Sequence, residues 1–185
     1  MSLHYPHAHP PAAGEKTEVA PGVFWLRMPL PFQLDHINLW LLRDGDGWTI
    51  VDTGFATDGV RAVWLQVLAE LDAPVRRLIV THFHPDHLGL ASWLMNETGA
   101  QLWMTTAEFL TAHAVWNEVG GHGARFMVEQ FRQHGLDGER LARFEKRGSG
   151  YRMAVPGLPD YYHRLKAGDA VAVDGRKWRV LIGHG

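Results

Sequence analysis

The sequence predicts one α/β domain, and three features of its apolar pattern indicate this class. Apolar runs of strand length recur along the chain, first at residues 22–30 and 36–54. A segment with apolar residues at helical spacing lies between two of these runs. The chain closes with an alternating pattern around Asp174-Gly175. Strands that alternate with helices along the chain are typical of α/β architecture.

Three strands are predicted to open the domain. Residues 22–30 form the first, and residues 36–54 form two more that meet at "DGDG", where Asp-Gly pairs favour a tight hairpin. A helix follows and ends at "DAP", and "VRRLIV" then returns as a buried strand. The apolar face of that helix comprises Val60, Val63, Trp64, Val67, Leu68 and Leu71.

The second part of the chain is predicted to be mostly helical. A helix stops near Gly99, a short strand follows at residues 101–104, and Thr105 with Glu108 forms a capping box that opens another helix. The "GGHG" segment breaks this helix, and two more follow at residues 124–134 and 139–147. We therefore expect a domain at residues 21–185 with a helical insertion at about 105–165, preceded by a flexible tail at residues 1–20.

The composition excludes several classes of protein. A formal charge of −2 provides no field to attract nucleic acid or an anionic membrane, and no run reaches the roughly 18 apolar residues of a membrane span. The chain has no cysteine, so any transition metal must be held by His, Asp or Glu. We expect a cytoplasmic protein that binds neither nucleic acid nor a membrane.

The motif "THFHPDHLG", residues 81–89, carries the strongest functional signal. His82 and His84 follow a buried strand, and alternate residues of extended backbone point to the same side, so both imidazoles can share one metal ion. Asp86 and His87 follow a proline-induced turn and can supply a second set of ligands. A single histidine would more simply cap the strand, but four ligand-type residues within six positions favour a metal site.

The ligand types and one further aspartate refine this prediction. Imidazole and carboxylate without sulfur suit Zn²⁺, and also Mn²⁺ or Fe²⁺. Asp52, in "IVDTG", ends another strand and is placed to accept a proton from the second ring nitrogen of a ligand. The competing interpretation is that Asp52 only stabilises its own turn.

The motifs "THFHPDHLG" and "WTIVDTG" resemble, in order and spacing, the H-x-H-x-D-H signature and the upstream aspartate motif of the metallo-β-lactamase superfamily. The resemblance implies an αββα sandwich and two metal ions, most readily Zn²⁺. It also implies that His82 and His84 bind the first ion, that Asp86 and His87 bind the second, with Asp86 also catalytic, and that Asp52 supports the site from outside the ligand set. In that family a metal-bound hydroxide attacks the electrophilic centre of the substrate.

One departure from the family pattern concerns the end of the chain. Family members take a further histidine from a "GH" motif after the strand written here as "WRVLI", and later ligands from a second half of the fold. His184 lies about two positions early for this role. We expect the second half to be missing from this chain, which would expose one sheet face and favour a homo-oligomer. The alternative is that His184 moves into the third ligand position.

The resemblance implies a metal-dependent hydrolase of a small ester, thioester, lactone or similar acyl substrate. A phosphodiesterase or nuclease of the same fold is one alternative, a mononuclear iron dioxygenase is another, and a catalytically inactive truncated binding module is a third. The basic stretch at residues 140–152 would suit a phosphate-bearing substrate, although a solvated helix face explains it better.

Five other polar or aromatic residues leave two interpretations open. They contact substrate at the rim or in the pocket, or they serve in turns and helix packing. These residues are Asp35, His36, His113, Trp116 and His122.

Overall fold

A mixed sheet forms the centre of the protein. The structure is a computed structural model that describes residues 3, 5–7, 9–147 and 150–183. Within these residues the main sheet has seven strands, which lie side by side in chain order; the first four pair antiparallel, and from the fourth onward the pairing is parallel. The strands are β1 Lys16–Ala20, β2 Val23–Pro29, β3 His36–Asp44, β4 Gly47–Val51, β5 Val75–Ile79, β6 Gln101–Thr105 and β7 His163–Leu165.

Helices connect the parallel strands. Between β4 and β5 lies α1, between β5 and β6 lie α2 and α3, and the long connection from β6 to β7 holds the remaining helices of the described chain. The helices are α1 Asp58–Ala69, α2 Pro85–Leu88, α3 Ala91–Thr98, α4 Thr106–Trp116, α5 Ala124–Gln133, α6 Gly138–Arg147 and α7 Tyr151–Ala154, with a 3-10 turn at Gly120–His122. None of those in the described part of the chain has the length and apolar character that crossing a bilayer requires.

The two faces of the sheet bury different sets of side chains. Neighbouring residues of a strand point to opposite faces, as Leu41 and Leu42 of β3 show: Leu41 joins the large core beneath the helices and Leu42 joins a smaller cluster. A two-stranded hairpin, β8 Ala170–Val173 and β9 Arg176–Arg179, packs on this second face through Val171 and Val173. The predicted α/β class is confirmed, with a helical layer on one face and the start of a strand layer on the other.

Helix α1 fixes the connection that follows β4. Thr57 caps its first turn by accepting a hydrogen bond from the Val60 amide. Trp64, fully buried in the large core, donates its indole N–H to the Thr53 carbonyl oxygen at 2.7 Å. The predicted apolar face of this helix therefore anchors the loop in which Asp52 lies.

Several predicted turns occur as expected, and one boundary differs. Asp174 and Gly175 adopt φ values of 48° and 74° in the β8–β9 turn, and Gly99 ends α3 with a φ of 71°. The sheet begins earlier than predicted, because Lys16–Ala20 pairs with β2 inside the range assigned to the tail. The expectation of a flexible segment up to residue 20 is corrected here, since the sequence contained no apolar run to mark this edge strand.

Candidate active site

The histidine motif "THFHPDHLG", residues 81–89, lies where the neighbouring parallel strands β4 and β5 end. Val51 of β4 pairs with Ile79 of β5, and the amide of Asp52 donates to the Ile79 carbonyl oxygen at 2.8 Å. The carboxyl ends of parallel strands meet at one edge of a sheet, where ligands commonly bind. The two sequence motifs, which lie about thirty residues apart in the chain, are joined at this edge.

The four predicted ligand residues come together at this edge. Nε2 of His82 lies 3.1 Å from Nδ1 of His84, and the rings of His82 and His87 have centroids 3.9 Å apart. Oδ2 of Asp86 lies 3.6 Å from Nε2 of His87. The four side chains therefore lie close together, and their imidazoles contact one another. Among the described residues, no group of three or more His, Asp or Glu side chains is arranged to hold a metal ion.

The spacing of the first histidine pair nevertheless fits a shared ion. Two nitrogens bound to one zinc at about 2.0–2.1 Å in tetrahedral geometry lie about 3.3 Å apart. The distance of 3.1 Å between His82 Nε2 and His84 Nδ1 is close to this value. In the structure this distance is that of a hydrogen bond between the two rings, so an ion between these atoms requires both nitrogens to be deprotonated and replaces that hydrogen bond.

Asp52 has a buried carboxylate that is bonded to two residues of the histidine motif. Its Oδ1 accepts the Thr81 amide at 2.7 Å, and its Oδ2 lies 2.8 Å from Nδ1 of His87. The backbone of Asp52 adopts a φ of 63°, which turns the chain sharply at the end of β4. A carboxylate can only accept here, so the proton of His87 lies on Nδ1 and its Nε2 is the atom available as a ligand.

The environment shifts the histidine pKa values in opposite directions. Burial alone would lower the pKa of His87, but the hydrogen bond and the charge of Asp52, with a contribution from Asp86, raise it above its usual value. The pKa of His82 is lowered, mainly by burial and also by the neighbouring imidazoles of His87 and His84. His82 therefore favours the neutral form that a metal ligand requires.

Thr53 connects the turn that follows β4 with the turn of the histidine motif at His87. Its amide and its Oγ1 both donate to the His87 carbonyl oxygen, at 2.8 and 2.7 Å, and its Oγ1 accepts the Leu90 amide at 3.2 Å. Thr53 lies in the motif "IVDTG", and no role was predicted for it. The available signal was a threonine directly after the aspartate, but its partners could not be read from the sequence.

Gly89 permits the close approach of three chain segments. A Cβ at this position would lie 2.3 Å from the Pro85 carbonyl oxygen, 2.7 Å from that of Gly54 and 3.0 Å from that of Ala154. The absence of a side chain, and not an unusual backbone angle, is what the position needs. The last residue of the motif thus lets α2 pack against α7 and against the loop that follows β4.

Two side chains of the helical insertion contact the backbone between the first two histidines. Oε2 of Glu108 accepts the Phe83 amide at 3.0 Å, and the hydroxyl of Tyr151 donates to the Phe83 carbonyl oxygen at 2.5 Å. Glu108 was predicted only as part of a capping box; Thr105 does accept the Glu108 amide, at 3.4 Å. Burial and the charge of Glu108 raise the pKa of Tyr151, so its phenol stays protonated and donates.

The remaining predicted residues serve structural contacts in the described chain. His113 Nε2 lies 3.3 Å from the Pro159 carbonyl oxygen, and Trp116 donates to that of Val155 at 3.0 Å. Asp35 lies 2.5 Å from Nδ1 of its neighbour His36, an interaction that lowers the pKa of the carboxyl.

His122 and Arg143 of the basic stretch both lie at the surface of the helical insertion. His122 ends the 3-10 turn and is exposed, and the basic stretch carries the predicted pairing, with Arg143 2.6 Å from Glu139. His184, considered as a third ligand of the first ion, lies outside the described residues.

Fold and site together define an α/β protein with a histidine- and aspartate-rich centre at the carboxyl edge of a mixed sheet. The sequence model of the metallo-beta-lactamase superfamily matches residues 33–185. The chain belongs to this superfamily, and the resemblance predicted from its two motifs is confirmed.

Two solved structures are similar over most of the chain. A beta-lactamase domain protein from Burkholderia ambifaria is 42% identical with a TM-score of 0.76, over 95% of this chain and 51% of its own. A metallo-beta-lactamase family protein from Thermus thermophilus is 29% identical with a TM-score of 0.68, over 89% of this chain and 52% of its own. The chain thus spans about half the length of these proteins.

Two curated relatives match shorter segments, and both are named as hydrolytic enzymes. A hydroxyacylglutathione hydrolase from Albidiferax ferrireducens is 35% identical over 75 residues, which are 40% of this chain and 27% of that protein. A linear primary-alkylsulfatase from a Pseudomonas species is 38% identical over 58 residues, which are 31% of this chain and 11% of that protein.

Proposed function

We propose that this edge of the sheet is the metal-binding centre of a metal-dependent hydrolase that acts on a small ester, thioester, lactone or similar acyl compound. The observation that carries the proposal is the convergence of the histidines, with His82 Nε2 3.1 Å from His84 Nδ1. Membership of a superfamily that contains hydrolases supports the reaction class. The relative named for hydroxyacylglutathione supports an acyl substrate.

Each residue of the cluster has a proposed task. His82 and His84 would hold one ion, Asp86 and His87 a second, with Zn²⁺ preferred and Fe²⁺ or Mn²⁺ as alternatives. Bound ions of this kind lower the pKa of water and polarise the substrate oxygen. Oδ2 of Asp86 is the proposed acceptor of a hydrogen bond from the attacking water, and Asp52 keeps the proton of His87 on Nδ1.

An acyl substrate is preferred to a nucleic acid on electrostatic grounds. A formal charge of −2 gives the chain little attraction for a polyanion, and a nuclease normally carries a basic groove. The phosphodiesterase and the inactive binding module remain the alternatives, and they differ from the acyl hydrolase in the experiment below.

Metal content and hydrolysis together test the proposal. The chain is stripped with a chelator, incubated with Zn²⁺, Fe²⁺ or Mn²⁺, and measured by inductively coupled plasma spectrometry. We expect retained metal that is lost in His84→Ala and kept in the matched control His122→Ala, which removes an exposed imidazole of the 3-10 turn. Loaded protein should cleave a nitrophenyl ester or a thioester and leave bis-nitrophenyl phosphate intact. If the protein retained no metal after incubation with these ions, the proposal would be refuted. Cleavage of only the phosphodiester would favour the nuclease.

A further inference from the structure

Two side chains of the helical insertion hold the backbone between His82 and His84. The peptide unit that joins His82 to Phe83 presents its N–H to Oε2 of Glu108 at 3.0 Å. The next unit, which joins Phe83 to His84, presents its carbonyl oxygen to the hydroxyl of Tyr151 at 2.5 Å. Each of the two peptide units that connect the imidazoles therefore has one side-chain partner.

These partners come from distant and well-anchored parts of the chain. Glu108 lies in the first turn of α4, which Thr105 caps, and it is 25 residues from Phe83. Tyr151 opens α7, is 5% exposed and is 68 residues from Phe83. Helix α7 is itself packed against α2 at Gly89, since a Cβ there would lie 3.0 Å from the Ala154 carbonyl oxygen.

The segment from His82 to His84 needs such support because it lies outside the sheet. Strand β5 ends at Ile79, and α2 begins only at Pro85, so the histidine pair lies on backbone that belongs to neither element. Unpaired peptide groups there could rotate, and each rotation would change the distance between the imidazoles. A ligand pair gains affinity when supporting hydrogen bonds fix its geometry before the ion binds.

We propose that Glu108 and Tyr151 are positioning residues that lock the Phe83 backbone and thereby set the separation of His82 and His84 and the affinity of this pair for a metal ion. This rests on the proposed metal-binding function. The carboxylate of Glu108 acts here as a hydrogen-bond acceptor, so the glutamate predicted for a capping box is bonded to the Phe83 amide.

Paired substitutions in the full chain separate this role from a ligand or charge role. Glu108→Gln keeps a carbonyl oxygen that can accept the Phe83 amide, whereas Glu108→Ala removes the acceptor. Tyr151→Phe removes the donor, and its matched control is Tyr162→Phe, which removes a hydroxyl of the same insertion bonded to Thr106 Oγ1 at 3.0 Å. Zinc affinity is measured by competition with a chromogenic chelator, and exchange of the Phe83 amide hydrogen is measured by NMR on metal-free protein.

We expect Glu108→Ala and Tyr151→Phe to weaken zinc binding about 10–100-fold, the range found for partners outside the ligand set. Glu108→Gln and Tyr162→Phe should bind zinc close to the affinity of the unsubstituted chain. Exchange of the Phe83 amide should accelerate in Glu108→Ala and stay slow in Glu108→Gln.

Three results would overturn the inference, and they are distinguishable. Unchanged zinc affinity in both Glu108→Ala and Tyr151→Phe would show that the contacts do not set the site. Equal losses in Glu108→Gln and Glu108→Ala would show that the carboxylate acts by charge or as a ligand. Absence of zinc binding by the unsubstituted chain would refute the proposed function and this role with it, and amide exchange would then report only on the backbone contact.

Discussion

Oδ2 of Asp52 lies 2.8 Å from Nδ1 of His87, and this contact joins the end of β4 to the turn that follows β5. It buries a carboxylate that is 4% exposed beside an imidazole whose pKa it raises. The same carboxylate holds the Thr81 amide, so one side chain fixes both the first residue and a late residue of the histidine motif.

The first prediction concerns the titration of the metal-free protein. His87 should lose its proton at a higher pH than His82, because the pKa of His87 is raised and that of His82 is lowered. In Asp52→Asn the charge of Asp52 is lost, so burial still lowers the pKa of His87 and only the smaller contribution of Asp86 still raises it; the pKa of His87 should therefore fall. Titration of the imidazole C–H signals by NMR measures both values, and a His87 pKa unchanged in Asp52→Asn would contradict the assignment.

This contact also predicts a pH-dependent stability. A raised pKa in the folded state means that the protonated His87 favours folding, so the stabilisation is complete below about pH 6.5 and is lost as the pH rises through the raised pKa. The difference in unfolding free energy between the unsubstituted chain and Asp52→Asn should therefore be larger at about pH 5.5 than at about pH 8.5. Urea unfolding at both pH values measures it, and a difference that grows with pH would have the wrong sign.

The second prediction concerns the hydroxyl of Thr53. Thr53→Val keeps the shape of the side chain and leaves the Leu90 amide without the acceptor it has at 3.2 Å. We expect a loss of about 1–3 kcal/mol in the free energy of unfolding, since the groups involved are buried. Thr111→Val on α4 is the matched control for removal of a threonine hydroxyl. Equal stability of Thr53→Val and the unsubstituted chain would show that the two turns are held by other contacts.

The third prediction concerns the space at Gly89. Gly89→Ala places a methyl group 2.3 Å from the Pro85 carbonyl oxygen and 2.7 Å from that of Gly54, so backbone must move. We expect destabilisation of about 3 kcal/mol or more, at the upper end of overpacking effects. The control is Gly138→Ala at the start of α6, where a Cβ meets nothing within 4 Å. Similar melting temperatures of the two variants would disprove the close approach at Gly89.

The fourth prediction concerns the attachment of the β8–β9 hairpin to the main sheet. Asp44 accepts the Asp174 amide at 3.2 Å and the Thr49 hydroxyl at 2.8 Å, and lies 3.5 Å from Arg77. Asp44→Ala should accelerate hydrogen exchange in residues 170–179 and cost about 1–3 kcal/mol.

A neighbouring aspartate provides the control for this experiment. Asp46 pairs with Arg76 at 2.6 Å, but the two side chains are 85% and 52% exposed. Asp46→Ala should cost at most about 1 kcal/mol, because exposed ion pairs contribute little. If the two substitutions had equal effects on hairpin exchange, Asp44 would not be its attachment.

The sequence alone determined the order and type of the main elements and the location of the candidate site. The period of the apolar residues predicted α1, and Asp174-Gly175 predicted the last hairpin, because these signals are local. The cluster of ligand-type residues was readable for the same reason, since His82, His84, Asp86 and His87 lie within six positions.

The tertiary structure alone decided which distant residues hold that cluster in place. Glu108 and Tyr151 reach Phe83 across 25 and 68 residues, and Gly89 is required by carbonyl oxygens of three separate segments. Sequence patterns encode neighbours along a helix or strand, whereas these contacts depend on how the packed elements cross. Even β1 needed its partner strand to be recognised, because an edge strand with one paired side carries few apolar residues.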